Sequence, residues 1–178
     1  MPNIGDSERK TQNRVVKFFR DKLHYTYLGN LHDSENRNIM QERLHAWLLK
    51  QGYSEKIAAN AIDALVKTST NLQHGLYHAN KEVYSLLKYG AKVKESVEQS
   101  PKTVYFIDFE DVSKNDFYIA EEVTIVSNNT KRPDIVLYVN GIALAVIELK
   151  KSSVSVSNGI RQNLTNQKSN FIEDFFTT

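Results

Sequence analysis

A chain of 178 residues, 40% apolar and 25% charged, is long enough to bury a sizeable core and has the balance of a globular rather than a disordered protein. Lys and Arg exceed Asp and Glu by only two, 23 against 21, so a phosphate-binding surface has to be a local patch rather than a property of the whole chain. The lack of cysteine excludes disulfides, thiolate catalysis and Cys-ligated zinc; the polar opening, with no run near the roughly 20 apolar residues of a membrane span, points to a soluble cytoplasmic protein.

Helical spacing dominates the first half. Ser7 is placed to cap a helix carrying Val15, Val16, Phe18, Phe19 and Leu23 on one stripe, and YTYLG (25–29) reads as a short strand after it. Apolar residues Ile39, Met40, Leu44, Trp47 and Leu48 recur at helical spacing from Asn36 to Lys50 and stop before Gly52. Ser54 then caps a helix to about Lys67, and a further helix runs from Lys81 to Tyr89, ending at Gly90. The second half changes period: TVYFIDF (103–109), DFYIAEEVTIV (116–126), RPDIVLYV (132–139) and IALAVIELK (142–150) are strand-like, and Asn140-Gly141 is a hairpin signal. A polar turn over 152–158 leads to a helix from Gly159 to Phe176, with Leu164, Phe171 and Phe175 facing inward. The class is α+β, a mixed and mainly antiparallel sheet flanked by helices, in one domain (1–178) whose helical stretch at about 36–97 reads as an insert.

The last hairpin carries the chemistry. Apolar residues occupy both parities of both strands, so the sheet is expected to be buried on both faces, and Asp134, Glu148 and Lys150 at the open end then need a reason. Glu148 and Lys150 share a face because side chains alternate, with Leu149 opposite. A two-residue turn would set Asp134 opposite Ile147 and separate the carboxylates, so the expected connection is a three-residue one with Gly141 in a bulge. Converged, the two carboxylates form a hard-oxygen site for Mg²⁺ or Mn²⁺, with the Leu149 carbonyl as a further ligand. Such a site suits phosphodiester hydrolysis, with Lys150 orienting water or offsetting charge on the pentacovalent phosphorane. The plainer alternative is a solvated strand end with Asp134 capping a turn after Pro133.

Pro133-Asp134 followed by Glu148-Leu149-Lys150 resembles the PD-(D/E)xK nuclease signature. The wider string RPDIVLYVNGIALAVIELKKSSVSVSNGIRQNLTNQ, with TQNRVVKFF, YTYLGN, NKEVYSLLKYG and TVYFIDFEDVSKNDF, resembles the N-terminal nuclease domain of R subunits of type I restriction enzymes. The resemblance implies a restriction-endonuclease-like core and a type I site-specific deoxyribonuclease acting on double-stranded DNA beside methylase and specificity subunits. It assigns Asp134 and Glu148 to the metal and Lys150 to catalysis. ATP would enter only through motor domains beyond this stretch, which holds no G-x-x-x-x-G-K loop. The family's Q-x-x-x-Y motif maps its glutamine onto Gln162, which the resemblance makes a candidate for orienting the catalytic lysine or the substrate, but Asn166 stands where the tyrosine should be. A Glu from an early helix, Glu8 or else Glu82, is a further possible ligand. Lys131, Arg132, Lys151, Arg161 and Lys168 are candidate phosphate contacts. His74 and His78 have metal-pair spacing but no third ligand near them in sequence. A stand-alone repair or junction nuclease and a non-catalytic DNA-binding or docking module are the competing readings.

Overall fold

The computed structural model describes residues 8–33, 36–151 and 153–178; Ser7, expected to cap the first helix, lies outside them. In chain order the elements are α1 (Glu8–Leu23), β1 (Thr26–Asn30), α2 (Gln41–Lys50), α3 (Glu55–Ser69), α4 (Leu76–Tyr89), β2 (Ala91–Val93) and β3 (Lys102–Val104). They continue with β4 (Phe117–Glu121), β5 (Ile125–Val126), β6 (Thr130–Lys131), β7 (Ile135–Val139), β8 (Ile142–Ile147) and α5 (Val156–Asn166), with short 3-10 turns at Val112–Lys114 and Glu173–Phe176. The protein is therefore mixed α+β with a helical N-terminal half and a mainly antiparallel sheet.

Two compact units share the chain: one takes residues up to Arg37 with Phe117–Tyr138 and Ala143–Glu173, the other Asn38–Asp116, Val139–Ile142 and Asp174–Thr178. In the first, a four-stranded sheet runs β1-β4-β7-β8, with β1 parallel to β4. Val16 of α1 packs on Ile119 and Ile135, supported by Val15, Phe19, Leu137, Ile147 and Leu149. The expected α1 stripe is too wide: Phe18 and Leu23 are exposed, and the polar Gln12 is buried in their place. The sheet is buried on both faces at its centre, where the neighbouring residues Ile119 and Ala120 of β4 and Ile135 and Val136 of β7 are fully buried, whereas the edge strand β8 leaves Leu144 43% exposed. The final helix ends at Asn166 rather than Phe176, and Leu164 faces outward.

In the second unit, Leu44, Trp47 and Leu48 of α2, Ile57, Ala61 and Leu65 of α3 and Val83 and Leu87 of α4 enclose one core with Val104 and Phe106. Helix α2 starts at Gln41 rather than Asn36, since Ile39 is held extended by a bridge to Ile142. Ser54 caps α3 as expected, its hydroxyl accepting from the Ile57 N–H. Helix α4 begins earlier than expected, after Gly75. The stretch 103–109 contributes only the end of a short β2–β3 hairpin, because Asn115 draws residue 108 into a loop by pairing with both its N–H and its carbonyl.

The Asn140-Gly141 turn also departs from expectation. Both residues have left-handed φ, 54° and 93°, the mark of a two-residue type I′ turn rather than a bulged three-residue one. Asn140 is fully buried, and its side chain donates to Phe106 O and accepts from Asp116 N. A side chain at Gly141 would meet the Met40 carbonyl at 2.8 Å, and Met40 N already donates to Gly141 O. Local hydrogen bonds therefore fix the turn type.

Candidate active site

With a regular turn, strict alternation would part the two carboxylates; the ladder, however, stops short of both. Strand β7 begins at Ile135 and β8 ends at Ile147, so Asp134 and Glu148 lie in the segments just outside the paired region, where the period-two rule no longer fixes direction. Asp134 turns in to accept the Leu149 N–H at 2.6 Å through Oδ2. Leu149 packs into the apolar cluster beneath α1. Its neighbours Glu148 and Lys150 come together, with Nζ 3.8 Å from Glu148 Oε2.

Glu148 is the most constrained member. Its side chain is 1% exposed; Oε2 accepts from Gln162 Nε2 at 2.8 Å, while Oε1 is buried with no hydrogen-bond partner. Burial, reinforced by the charge of Asp134, pushes the Glu148 carboxyl up to about 7. Burial also raises Asp134, against the Leu149 N–H and Lys150. The Lys150 ammonium donates to the Leu149 carbonyl at 2.9 Å and lies 3.6 Å from Glu8 Oε1. A positive charge is thus seated among oxygens of the kind that bind a hard divalent cation.

The raised Glu148 has a stability consequence with a definite sign. Since the folded state holds this proton more tightly than the unfolded chain, where the group titrates near 4.5, the stability it contributes is fully present below that pH and is lost as pH rises through about 7. Glu148→Gln should therefore stabilise the metal-free protein at pH 8 by about 1–3 kcal/mol and have little effect at pH 4. Thermal melts in a chelator across that range check this; an equal shift at both ends would contradict it.

The other predicted residues divide. Gln162 reaches the site, but its amide holds Glu148 rather than the lysine. Asn166 is buried at the end of α5, where its carbonyl accepts from Ile172 N. Glu8 faces Lys150, whereas Glu82 lies on α4 in the second unit. Lys151 lines a cleft of about 310 Å³ beside Glu148 and Lys150, walled by Val154, Val156 and Ile160. Lys131 places its ammonium over the Phe171 ring, 4.7 Å from the centroid. Arg132, Arg161 and Lys168 are exposed. His74 and His78 meet edge to face, and among the described residues no group of three or more His, Asp or Glu side chains is arranged to hold a metal.

Two residues escaped the sequence reading. Gln12 donates through Nε2 to the Asp134 carbonyl at 3.2 Å and to Glu122 Oε1 at 3.3 Å. Glu122, in the left-handed region at φ 49°, donates its own N–H to the Asp134 carbonyl. The signal for Gln12 was available: it sits one helical turn from Glu8 on one side and Val16 on the other, a polar residue within the buried stripe.

The family model describing the type I restriction enzyme R protein N terminus matches residues 5–178. A relative from Methanocaldococcus jannaschii named as a type I restriction enzyme MjaIXP endonuclease subunit is 31% identical over 111 residues, 57% of this chain and 11% of the relative. The type I restriction enzyme HindI endonuclease subunit of Haemophilus influenzae is 34% identical over 100 residues, 53% of this chain and 10% of its own. The aligned stretch thus spans about a tenth of the length of these relatives.

Proposed function

Because the chain belongs to the family of type I restriction enzyme R protein N termini, we propose that the Asp134–Glu148–Lys150 cluster is the metal-dependent DNA-cleaving centre of such an R subunit. The substrate is unmodified double-stranded DNA, cut after ATP-driven translocation by motor domains outside this stretch, in a cytoplasmic complex with methylase and specificity subunits. On this reading the first unit is the PD-(D/E)xK nuclease core and the second a largely helical insert.

The observation that carries the reading is the buried Glu148 Oε1, a carboxylate oxygen with no partner, on a side chain whose other oxygen lies 3.8 Å from the Lys150 ammonium. A buried acceptor left empty is costly unless something else satisfies it. With no cysteine, and with Asp134, Glu148 and the Leu149 carbonyl as donors, the set fits Mg²⁺, or Mn²⁺ in its place. Bound there, such a cation supplies a Lewis acid toward a phosphoryl oxygen and favours ionisation of water.

The chain's own residues supply the rest. Asp134 and Glu148 are the anionic ligands, and Gln162 orients Glu148 by holding Oε2 so that Oε1 remains free. Lys150 carries the positive charge that can orient the attacking water or stabilise charge at the phosphorus as oxygen adds in line. Lys151 and the cleft walls offer a place for the neighbouring sugar and phosphate; Lys131, Arg132, Arg161 and Lys168 are further phosphate contacts.

Alanine substitution of the carboxylates, argued below, is the direct test. A milder companion result is expected at Gln162. Removing its amide leaves both carboxylates in place, so Gln162→Ala should lower DNA cleavage by the assembled enzyme about 10-fold, much of it recovered at high Mg²⁺. A cleavage assay titrated with Mg²⁺ measures this, and a loss as large as that of Glu148→Ala would show that Gln162 does more than orient its neighbour.

A further inference from the structure

We propose that Gln12 is a positioning residue for the cation site: its amide fixes the peptide of Asp134, and with it the direction of the Asp134 carboxylate. The inference rests on the metal-site reading above. Gln12 is 3% exposed in the stripe of α1 that also buries Val16. At such a position an apolar side chain would pack without cost, whereas an amide is tolerated only when hydrogen-bonded. Its partners are the Asp134 carbonyl and Glu122 Oε1, neither of them in the apolar core.

Why Asp134 should need this anchor follows from its place in the fold. The residue stands just before β7 and so lacks the ladder bonds that hold the strand. Its carbonyl instead accepts from two donors, Glu122 N at 3.0 Å and Gln12 Nε2 at 3.2 Å, while its carboxylate accepts Leu149 N. Both ends of Asp134 are therefore tied. Helix α1 is a firm base for one tie, since Val16 is packed on Ile119 and Ile135 and Arg9 bridges Glu121 and Glu122 one turn earlier. The helix that brings Glu8 to Lys150 thus also sets the peptide of Asp134.

The test uses the full-length subunit, free of nucleotide, with Mn²⁺ binding followed by calorimetry or electron paramagnetic resonance. Asp134→Ala identifies which Mn²⁺ site belongs to this centre; if that variant binds Mn²⁺ as wild type does, the metal-site reading itself has failed. Given loss there, Gln12→Met, which keeps length and packing but removes the donors, should weaken Mn²⁺ binding about 10–100-fold. The unfolding temperature in chelator and DNA-dependent ATP hydrolysis by the assembled enzyme should stay at wild-type values, and cleavage should recover at high metal. Gln12→Asn, too short to reach, should move the same way and decides the matter if the Met variant does not fold. Wild-type Mn²⁺ affinity in the folded variant overturns the proposal, as does weakened binding matched by a fall in unfolding temperature, since the amide would then be holding the fold rather than the carboxylate.

Discussion

Full-length subunits carrying Asp134→Ala or Glu148→Ala, assembled with their partner subunits, should cleave unmodified DNA ~10³-fold or more slowly than wild type while hydrolysing ATP and translocating at near wild-type rates. The expected separation follows from where the groups sit. Both carboxylates lie at the open end of the β7–β8 hairpin and, among the described residues, interact with Leu149, Lys150 and Gln162 of the first unit, and no phosphate-binding loop occurs in the sequence. On the proposed metal-site reading, removing either would take away one of the two carboxylates that hold the ion, leaving too little charge for a strongly hydrated divalent cation. Glu148→Gln and Asp134→Asn, which keep shape and lose charge, should fail almost as fully and so exclude a packing explanation. Gel assays of cleavage in Mg²⁺, run beside ATPase measurements on the same samples, decide the matter. Cleavage at the normal rate by either alanine variant, free of wild-type contamination, would mean that water activation does not depend on these residues.

Much of this site was legible because a motif with a physical rationale survives in the sequence. Asp134, Glu148 and Lys150 stand out as charges at the end of an otherwise apolar hairpin, and the structure brings them together. The route to that convergence was not legible. Parity reasoning assumed that the ladder ran through Asp134 and Lys150, and so demanded a bulged turn. The turn is regular, and Asp134 and Glu148 lie just beyond the strand ends at Ile135 of β7 and Ile147 of β8. Strand ends are set by tertiary contacts: here the Gln12 and Glu122 donors on the Asp134 carbonyl and the packing of Leu149. Residues 103–109 show the same limit in the second unit. Their alternation and β-propensity suited a long strand, but the hydrogen bonds of Asn115, seven residues beyond Asp108, and of Asn140, 34 residues beyond Phe106, hold most of the segment in a loop. Gln12 is the reverse case, a polar residue on a buried stripe that hydropathy alone passes over and a hydrogen-bond census picks out.

Lys150→Ala should abolish cleavage by a different route, and metal dependence should reveal the difference. In the structure its ammonium lies 2.9 Å from the Leu149 carbonyl, 3.6 Å from Glu8 and 3.8 Å from Glu148, which makes it a competitor for the same oxygens as a divalent cation. Removing it takes a positive charge away from the site, so the Mg²⁺ concentration for half-maximal binding should stay the same or fall, whereas Asp134→Ala and Glu148→Ala should lose binding outright. Cleavage at saturating Mg²⁺ should nevertheless drop about 10²–10³-fold, the size of loss seen when one electrostatic partner of a transition state is deleted. The defect would then lie in turnover and not in metal affinity. Lys150→Arg should restore charge but not the compact ammonium, and so recover only part of the activity, because a planar guanidinium cannot present its donors at the same point. Single-turnover cleavage measured across an Mg²⁺ series is the deciding experiment. If the Lys150→Ala enzyme regained wild-type cleavage at high Mg²⁺, Lys150 would be an aid to metal binding and its assigned role in the chemical step would have to be given up.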